Sequence, residues 1–306
     1  MNAFIKKSLF FIIPFLAWGI IVFVVDPFNY FNKSNLISNK AKINAENLNT
    51  LLFRTIDFVN YPSKNILIGD SRTDALPIDL IEKYSNQNFQ KLNTNATKLN
   101  EILDLFYFSN KIKKIETVVI GINFSMFNQF SYENRVNNVI KIIENPFLYV
   151  FNKDIFEACF YVLRSFLFEI NLDSKPLLNK EDFWHWTVNV KSNHWYGRYK
   201  FPEELLRELI EFDEFTKKNN INVIIINVPH HVDFHDKLIS NNLKMEEIKF
   251  KNILSSLNAK VYDFDYLNEI TNNKINFKDP IHYNDSIGNL MVREIWGNNL
   301  KFGKKL

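Results

Sequence analysis

Two rhythms of apolar and polar positions run along this chain. Short aliphatic runs without polar alternation recur at Asn65 to Gly69, Phe89 to Leu92, Thr117 to Ile122, Asn222 to Val228 and Lys260 to Phe264. Between them lie stretches with apolar residues at helical spacing: Ile78 to Tyr84, Leu99 to Lys111, Pro202 to Asn219, Met245 to Leu257 and Asp285 to Trp296. A further helix is expected near Ala41 to Val59. Strands that are apolar throughout are buried on both faces, and their alternation with helices predicts an α/β fold with a parallel sheet covered on both sides. Residues 125–200 interrupt the rhythm. They are rich in Phe, Tyr and Trp and read as a mostly helical insertion.

The N-terminus follows neither rhythm. Leu9 to Val25 is apolar apart from Pro14, Trp18 and Gly19, Lys6 and Lys7 precede it, and the first acidic residue is Asp26. A run of this length is at the short end of a membrane span, and lysines ahead of it favour an N-terminus inside and the rest of the chain outside. A cleaved signal peptide is the rival, but no small-x-small site follows the run. A buried helix of a soluble protein is the third reading. The expectation is an uncleaved transmembrane anchor at residues 1–28, a juxtamembrane linker and helix at 29–60, and a main domain at 61–306.

Composition narrows the setting further. With 46% hydrophobic residues in 306, among them 30 Phe, the chain can bury a large core. Its net charge of +3 includes no dense basic stripe, which gives nucleic-acid binding little support. The single cysteine, Cys159, allows neither an intrachain disulfide nor a cysteine zinc cluster, and its apolar neighbours make it a core side chain. No cofactor or metal motif is read.

In an open parallel sheet, ligands bind beyond the carboxyl ends of the strands. Those ends carry Asp70-Ser71, Asn93 to Asn95, Gly121-Ile122-Asn123, Pro229-His230-His231 and Asp265, and the loop before the last helix carries Asp279-Pro280-Ile281-His282. Serine attacks an acyl group only with a base in hydrogen-bond reach and a third group that sets the base's tautomer. Ser71 supplies a hydroxyl, His282 a base and Asp279 an orienting carboxylate. The N–H of Ser71, an N–H near Asn95 and the amide of Asn123 are the candidate oxyanion donors. A second Asp-x-x-His, Asp182 to His185, shows how weak that spacing is alone; it lies in the insertion, away from any strand end. Ser71 also has a plainer reading as a helix cap. Arg72 reads as a local ion-pair partner or an anion ligand, and His230 and His231 as loop histidines or cleft residues. Asn193-His194-Trp195-Tyr196 reads as packing for the insertion or as a platform for a sugar ring.

The triplets GDS at 69–71 and GIN at 121–123, with DPIH at 279–282, resemble in matching order three sequence blocks of the SGNH (GDSL-type) hydrolase superfamily. An apolar N-terminus, then IGDSRT, then a late Asp-Pro-x-His-Tyr-Asn is similar to its bacterial cell-surface branch. That branch includes alginate and peptidoglycan O-acetyltransferases and the D-alanyl transfer protein of teichoic acids. The resemblance implies a three-layer αβα fold with a five-stranded parallel sheet. It also implies Ser71 as nucleophile, His282 as base, Asp279 as its partner and Asn123 as an oxyanion donor. Two positions depart from the pattern. Asn93-Thr94-Asn95-Ala96 has no glycine where the second block offers one, and Phe124 stands where the third block continues with Asp.

The expected function is an extracytoplasmic serine acyltransferase or esterase acting on acyl, foremost O-acetyl, groups of a cell-surface polysaccharide. Its substrates would be a glycan and an acyl donor, with a membrane-bound O-acyltransferase as partner. The alternatives are a non-catalytic glycan-binding or assembly module and a lipid-directed esterase.

Overall fold

The aliphatic runs become strands because nothing else can hide them. All four residues of Asn65–Ile68 (β1) and all six of Thr117–Ile122 (β3) are buried. With Gln90–Lys91 (β2), Asn222–Asn227 (β4) and Lys260–Asp263 (β5) they form a parallel sheet in the order β2-β1-β3-β4-β5. Phe277–Asp279 (β6) and His282–Tyr283 (β7) make a separate antiparallel hairpin. Lys304–Lys305 (β8) adds antiparallel to β5, so the sheet has six strands rather than the expected five. A two-residue strand of exposed lysines buries no apolar face, so no hydrophobic run announces it.

The structure is a computed structural model that describes residues 2–33, 36–170 and 179–306. The chain divides into two compact units, one formed by residues 62–135 and 176–306 and the other by 1–61 and 136–175. The fold is mixed α/β with a sheet dominated by parallel pairing.

In the sheet-bearing unit, side chains alternate between two cores. Leu67, Val119, Ile224 and Tyr262 join Met291, Val292 and Ile295 of the closing helix Asp285–Trp296 on one face. The buried residues between them, Ile66, Val118, Ile120 and Ile225, point to the other face. The helix Leu99–Ile112 contacts β1 and β3, and its Phe106 meets Phe212 of Glu203–Lys218 edge-on at 4.8 Å. The chain leaves β1 outward to β2 and returns to β3 on β1's other side. This reversal opens a crevice at the carboxyl ends of β1 and β3. The part of the expected insertion that belongs to this unit winds through Lys180–Trp186, a π-helical stretch Thr187–Lys191 and Ser192–Tyr196.

The other unit is helical. The single helix expected near Ala41 to Val59 is two, Asn39–Leu48 and Thr50–Asn60. They part at Asn49, whose side chain accepts the Leu52 N–H and so competes with the helical backbone bonds. Asn39–Leu48 packs along Lys153–Phe168, as does the N-terminal helix Asn2–Val25. Trp18 donates Nε1–H to the Val150 carbonyl at 2.8 Å and lies 5.1 Å from Phe156. Cys159 is buried, as expected. Among the described residues no helix is long and apolar enough to cross a membrane, so the expected span finds no support in helix length.

Candidate active site

The turn that carries Ser71 is built around a wedge. After β1 the chain passes Gly69 and Asp70 and turns through a short 3-10 segment, Thr73–Ala75. Thr73 is fully buried, and a Cβ placed on Gly69 or on Gly121 would sit 2.1 Å from its hydroxyl oxygen. Ile68 and Ile120 are register partners, so Gly69, just after β1, and Gly121, within β3, lie side by side, and their missing side chains make room for Thr73. Asp70 Oδ1 accepts the Arg72 N–H at 2.9 Å, and its carboxylate grips the Arg72 guanidinium at 2.8 Å and closer. Burial alone would raise the Asp70 pKa, but the charge and hydrogen bonds of Arg72 override it and hold the carboxyl below its usual range. Ser71 does not cap a helix, since the next α-helix starts only at Ile78.

The histidine arrives on the β6–β7 hairpin. Asp279 Oδ1 accepts the backbone N–H groups of Ile281 at 2.9 Å and His282 at 3.1 Å, which folds the four-residue loop onto its own carboxylate. The His231 N–H donates to the Pro280 carbonyl at 2.9 Å and pins this loop to the segment after β4. Two further contacts press the hairpin and its closing helix onto the serine turn. The Tyr283 hydroxyl donates to the Arg72 carbonyl at 2.6 Å, and Gly288 lies so close to Ala75 that a Cβ there would be 2.0 Å from the Ala75 oxygen.

These restraints bring together side chains 211 positions apart. Ser71 Oγ lies 2.8 Å from His282 Nε2, and His282 Nδ1 lies 2.6 Å from Asp279 Oδ2. An ionised carboxylate only accepts, so Nδ1 carries the proton and the Nε2 lone pair faces the serine hydroxyl. Burial would raise the Asp279 pKa, but the hydrogen bond and charge of His282, with the two backbone amides, keep it below the usual carboxylate range. The arrangement can draw a proton from Ser71 and hold the resulting imidazolium.

Two of the expected oxyanion donors are the Asn123 amide and the Ser71 N–H. Asn123 is fully buried; its Oδ1 accepts the Ser125 N–H at 3.0 Å, while its Nδ2 has no hydrogen-bond partner. A buried amide donor without an acceptor is costly. The second is the Ser71 N–H, at the turn itself. Asn95 is placed differently from the expectation. It is exposed, its carbonyl accepts from Arg135 Nη1 at 3.0 Å, and the residues of its loop that line the cleft are Ala96, Thr97 and Lys98. The left-handed backbone falls on Ala96, with φ of 55°, rather than on Asn95.

His230 and His231 do not line the cleft. His230 is buried, with Nδ1 3.0 Å from Asp265 Oδ2 and Nε2 2.6 Å from Arg72 Nη1. His231 caps the helix Val232–Ser240 by accepting the Asp233 N–H. Asp265, named at the sequence level only as a strand-end residue, is held well below the usual carboxylate range. Burial acts against this, and the charge and hydrogen bond of His230 outweigh it, with help from Lys251 and His235. Asp182 and His185 line a separate depression with Asn189 and Asp233.

The cleft over Ser71 has a volume of about 570 Å³. Besides Ser71 and His282 it takes in Lys98, Lys191, Trp195 and Arg198. None of these last four stands at a strand end, and only Trp195 belonged to a stretch singled out in the sequence. Lys191 ends the π-helical stretch, an irregularity often found at functional sites.

No family model matches the sequence, and no curated protein matches it. Among solved structures the chain is similar to a GDSL-like lipase from Bacteroides thetaiotaomicron VPI-5482, at 12% identity over 77% of this chain and 88% of that one, with a TM-score of 0.34. It is also similar to an acetyl xylan esterase, AlAXEase, at 11% identity over 77% of this chain and all of that one, with a TM-score of 0.34. Likenesses this distant leave the reading of the site to its own geometry.

Proposed function

We propose that this protein is a serine acylhydrolase or acyltransferase of the SGNH (GDSL) kind that handles O-acetyl groups of a cell-surface polysaccharide. The observation that carries the reading is the pair of distances from Ser71 Oγ to His282 Nε2, 2.8 Å, and from His282 Nδ1 to Asp279 Oδ2, 2.6 Å. Ser71 Oγ attacks the acyl carbonyl as His282 Nε2 takes its proton. Asn123 Nδ2 and the Ser71 N–H receive the developing oxyanion, each such donor contributing about 3 kcal/mol to the barrier reduction. His282 then returns the proton to the leaving alcohol, and the acyl-serine passes to water or to a glycan hydroxyl activated by the same imidazole. The apolar N-terminal helix would hold the protein at the outer face of the cytoplasmic membrane, beside a membrane-bound acyltransferase that supplies the acyl group.

The test is a fluorophosphonate probe followed by mass spectrometry, with an activated acetyl ester as substrate. Label or acetyl on the peptide carrying Ser71, lost in Ser71→Ala, supports the reading. Ester turnover that survives Ser71→Ala refutes it.

A further inference from the structure

The cleft carries more positive charge than acyl chemistry asks for. Among the described residues that line it, Asp70 is the one carboxylate, and Arg72 already occupies it. Lys98, Lys191 and Arg198 line the same space, and among the described residues none of them has a carboxylate within ion-pair distance. Lys98 and Lys191 are half-buried. Burial pulls both ammonium pKa values down. At Lys98, Glu133 and Glu101 act against it and Arg135 and Arg72 act with it. At Lys191, Asp279 and Asp70 act against it and Arg72 and Lys98 act with it, and the net direction is down for both. Charge taken out of water is normally paired, so cations gathered beyond ion-pair distance of any described carboxylate mark the place of an anion. Trp195 supplies a flat surface among them, with Lys191 Nζ 5.0 Å and the Arg72 guanidinium 5.9 Å from its ring centre.

We infer that the cleft binds an anionic glycan or polyol chain, its carboxylates or phosphates meeting Lys98, Lys191 and Arg198 and a ring lying on Trp195. If Ser71 transfers acyl groups as proposed above, that chain is what bears or receives them. Only this last step rests on the acyl reading; the binding does not.

The Ser71→Ala protein, which cannot turn over an ester, is titrated calorimetrically with oligogalacturonate, a glycerol-phosphate oligomer and a neutral galactan oligomer of equal length. At least one anionic oligomer should bind at least tenfold more tightly than the neutral one, and the two anionic arms tell carboxylate from phosphate. Lys191→Gln and, separately, the exposed Arg198→Gln should each weaken that binding several-fold and flatten its salt dependence. Equal affinity for charged and neutral oligomers, or an affinity unmoved by both variants, overturns the inference. The fluorophosphonate experiment is read independently. Labelled Ser71 without charge selectivity removes this inference alone, and charge-selective binding without labelling removes the acyl reading alone.

The helical unit carries a second, independent observation. Phe10, Phe11, Ile12 and Ile13 are all exposed, and so are Phe15 and Leu16. At about 100° per residue, four successive positions cover the whole circumference of a helix. A protein partner would cover a stripe, whereas hydrocarbon wets every side. On Lys153–Phe168, Phe156, Phe160 and Leu167 are exposed along one face, and Phe147 and Phe151 are exposed just before it. Phe15 lies 6.0 Å from Phe151 and Trp18 lies 5.1 Å from Phe156, so this surface continues that of the N-terminal helix.

We propose that the exposed apolar face of residues 146–168 is immersed in the same lipid acyl chains as the N-terminal helix. Spin labels at Phe15→Cys, Phe147→Cys and Phe160→Cys, in the full chain with Cys159→Ala and in phosphatidylethanolamine–phosphatidylglycerol vesicles, report the depth. Oxygen accessibility at 147 and 160 should match 15 and exceed a Lys218→Cys label several-fold. Labels at 147 and 160 that meet a water-soluble relaxant as 218 does overturn the proposal.

Discussion

Two Asp–His pairs sit at the same edge of the sheet, and they differ in what the far nitrogen meets. Asp279 orients His282, whose Nε2 faces the Ser71 hydroxyl at 2.8 Å. Asp265 orients His230, whose Nε2 faces an Arg72 nitrogen at 2.6 Å. The His282 side chain keeps 28% of its surface, and that of His230 keeps 3%. A carboxylate behind an imidazole therefore does not make a base. A base needs a proton it can remove, and a guanidinium gives none up in a protein. The second pair instead fixes the charge of Arg72 at the floor of the cleft.

Losing the hydroxyl separates the pairs most widely. Ser71→Ala or His282→Ala should lower kcat for an activated acetyl ester by about 10⁴-fold or more. His230→Ala should leave kcat within about a hundredfold of the wild type, because it touches no reacting atom. Comparable losses in the two histidine variants would erase the distinction between the two pairs.

The carboxylates sharpen the contrast. Asp279→Asn should cost up to about 10⁴-fold in kcat with the fold retained, since the amide favours the wrong tautomer. Asp265→Asn should act on stability, by about 3–5 kcal/mol in urea unfolding, because it breaks a buried charge network. Asp265 and Asp70 both have folded-state pKa values below the unfolded value, so the stability they contribute is present above about pH 4 and lost as pH falls through the folded values. The loss as pH falls below about 4 should be shallower in Asp265→Asn, and an unchanged slope there would remove Asp265 from the account.

Smaller effects test the scaffold. Gly121→Ala should destabilise the fold by about 1–3 kcal/mol and lower kcat, because its Cβ meets Thr73, and adding Thr73→Gly should recover part of both losses. Tyr283→Phe should cost about 1 kcal/mol and a few-fold in kcat through the lost bond to the Arg72 carbonyl.

The strands were legible because a face-to-face buried strand has no alternative to being apolar throughout, and Thr117–Ile122 matches its run residue for residue. The β6–β7 hairpin and the lysine strand were not, since two or three residues set no periodicity. Ser71, Asp279 and His282 stood out by their places after a strand and before a helix, and the structure brings the three together. The purpose of Gly69 and Gly121 was hidden, because a glycine does not name the side chain that fills its space. The Arg72–His230 contact joins positions 158 apart and leaves no local mark. Asn tolerates left-handed backbone better than most residues, yet the turn assigns that conformation to Ala96 rather than to Asn95.

Tyr283 and Gly288 tie the hairpin and the closing helix directly to the serine turn. During synthesis the nucleophile leaves the ribosome 211 residues ahead of its base. At ordinary elongation rates that is a delay of about 10–40 s. Throughout it Ser71 is an ordinary alcohol, and its hydrogen bond to His282 forms only when the hairpin ahead of the last helix docks.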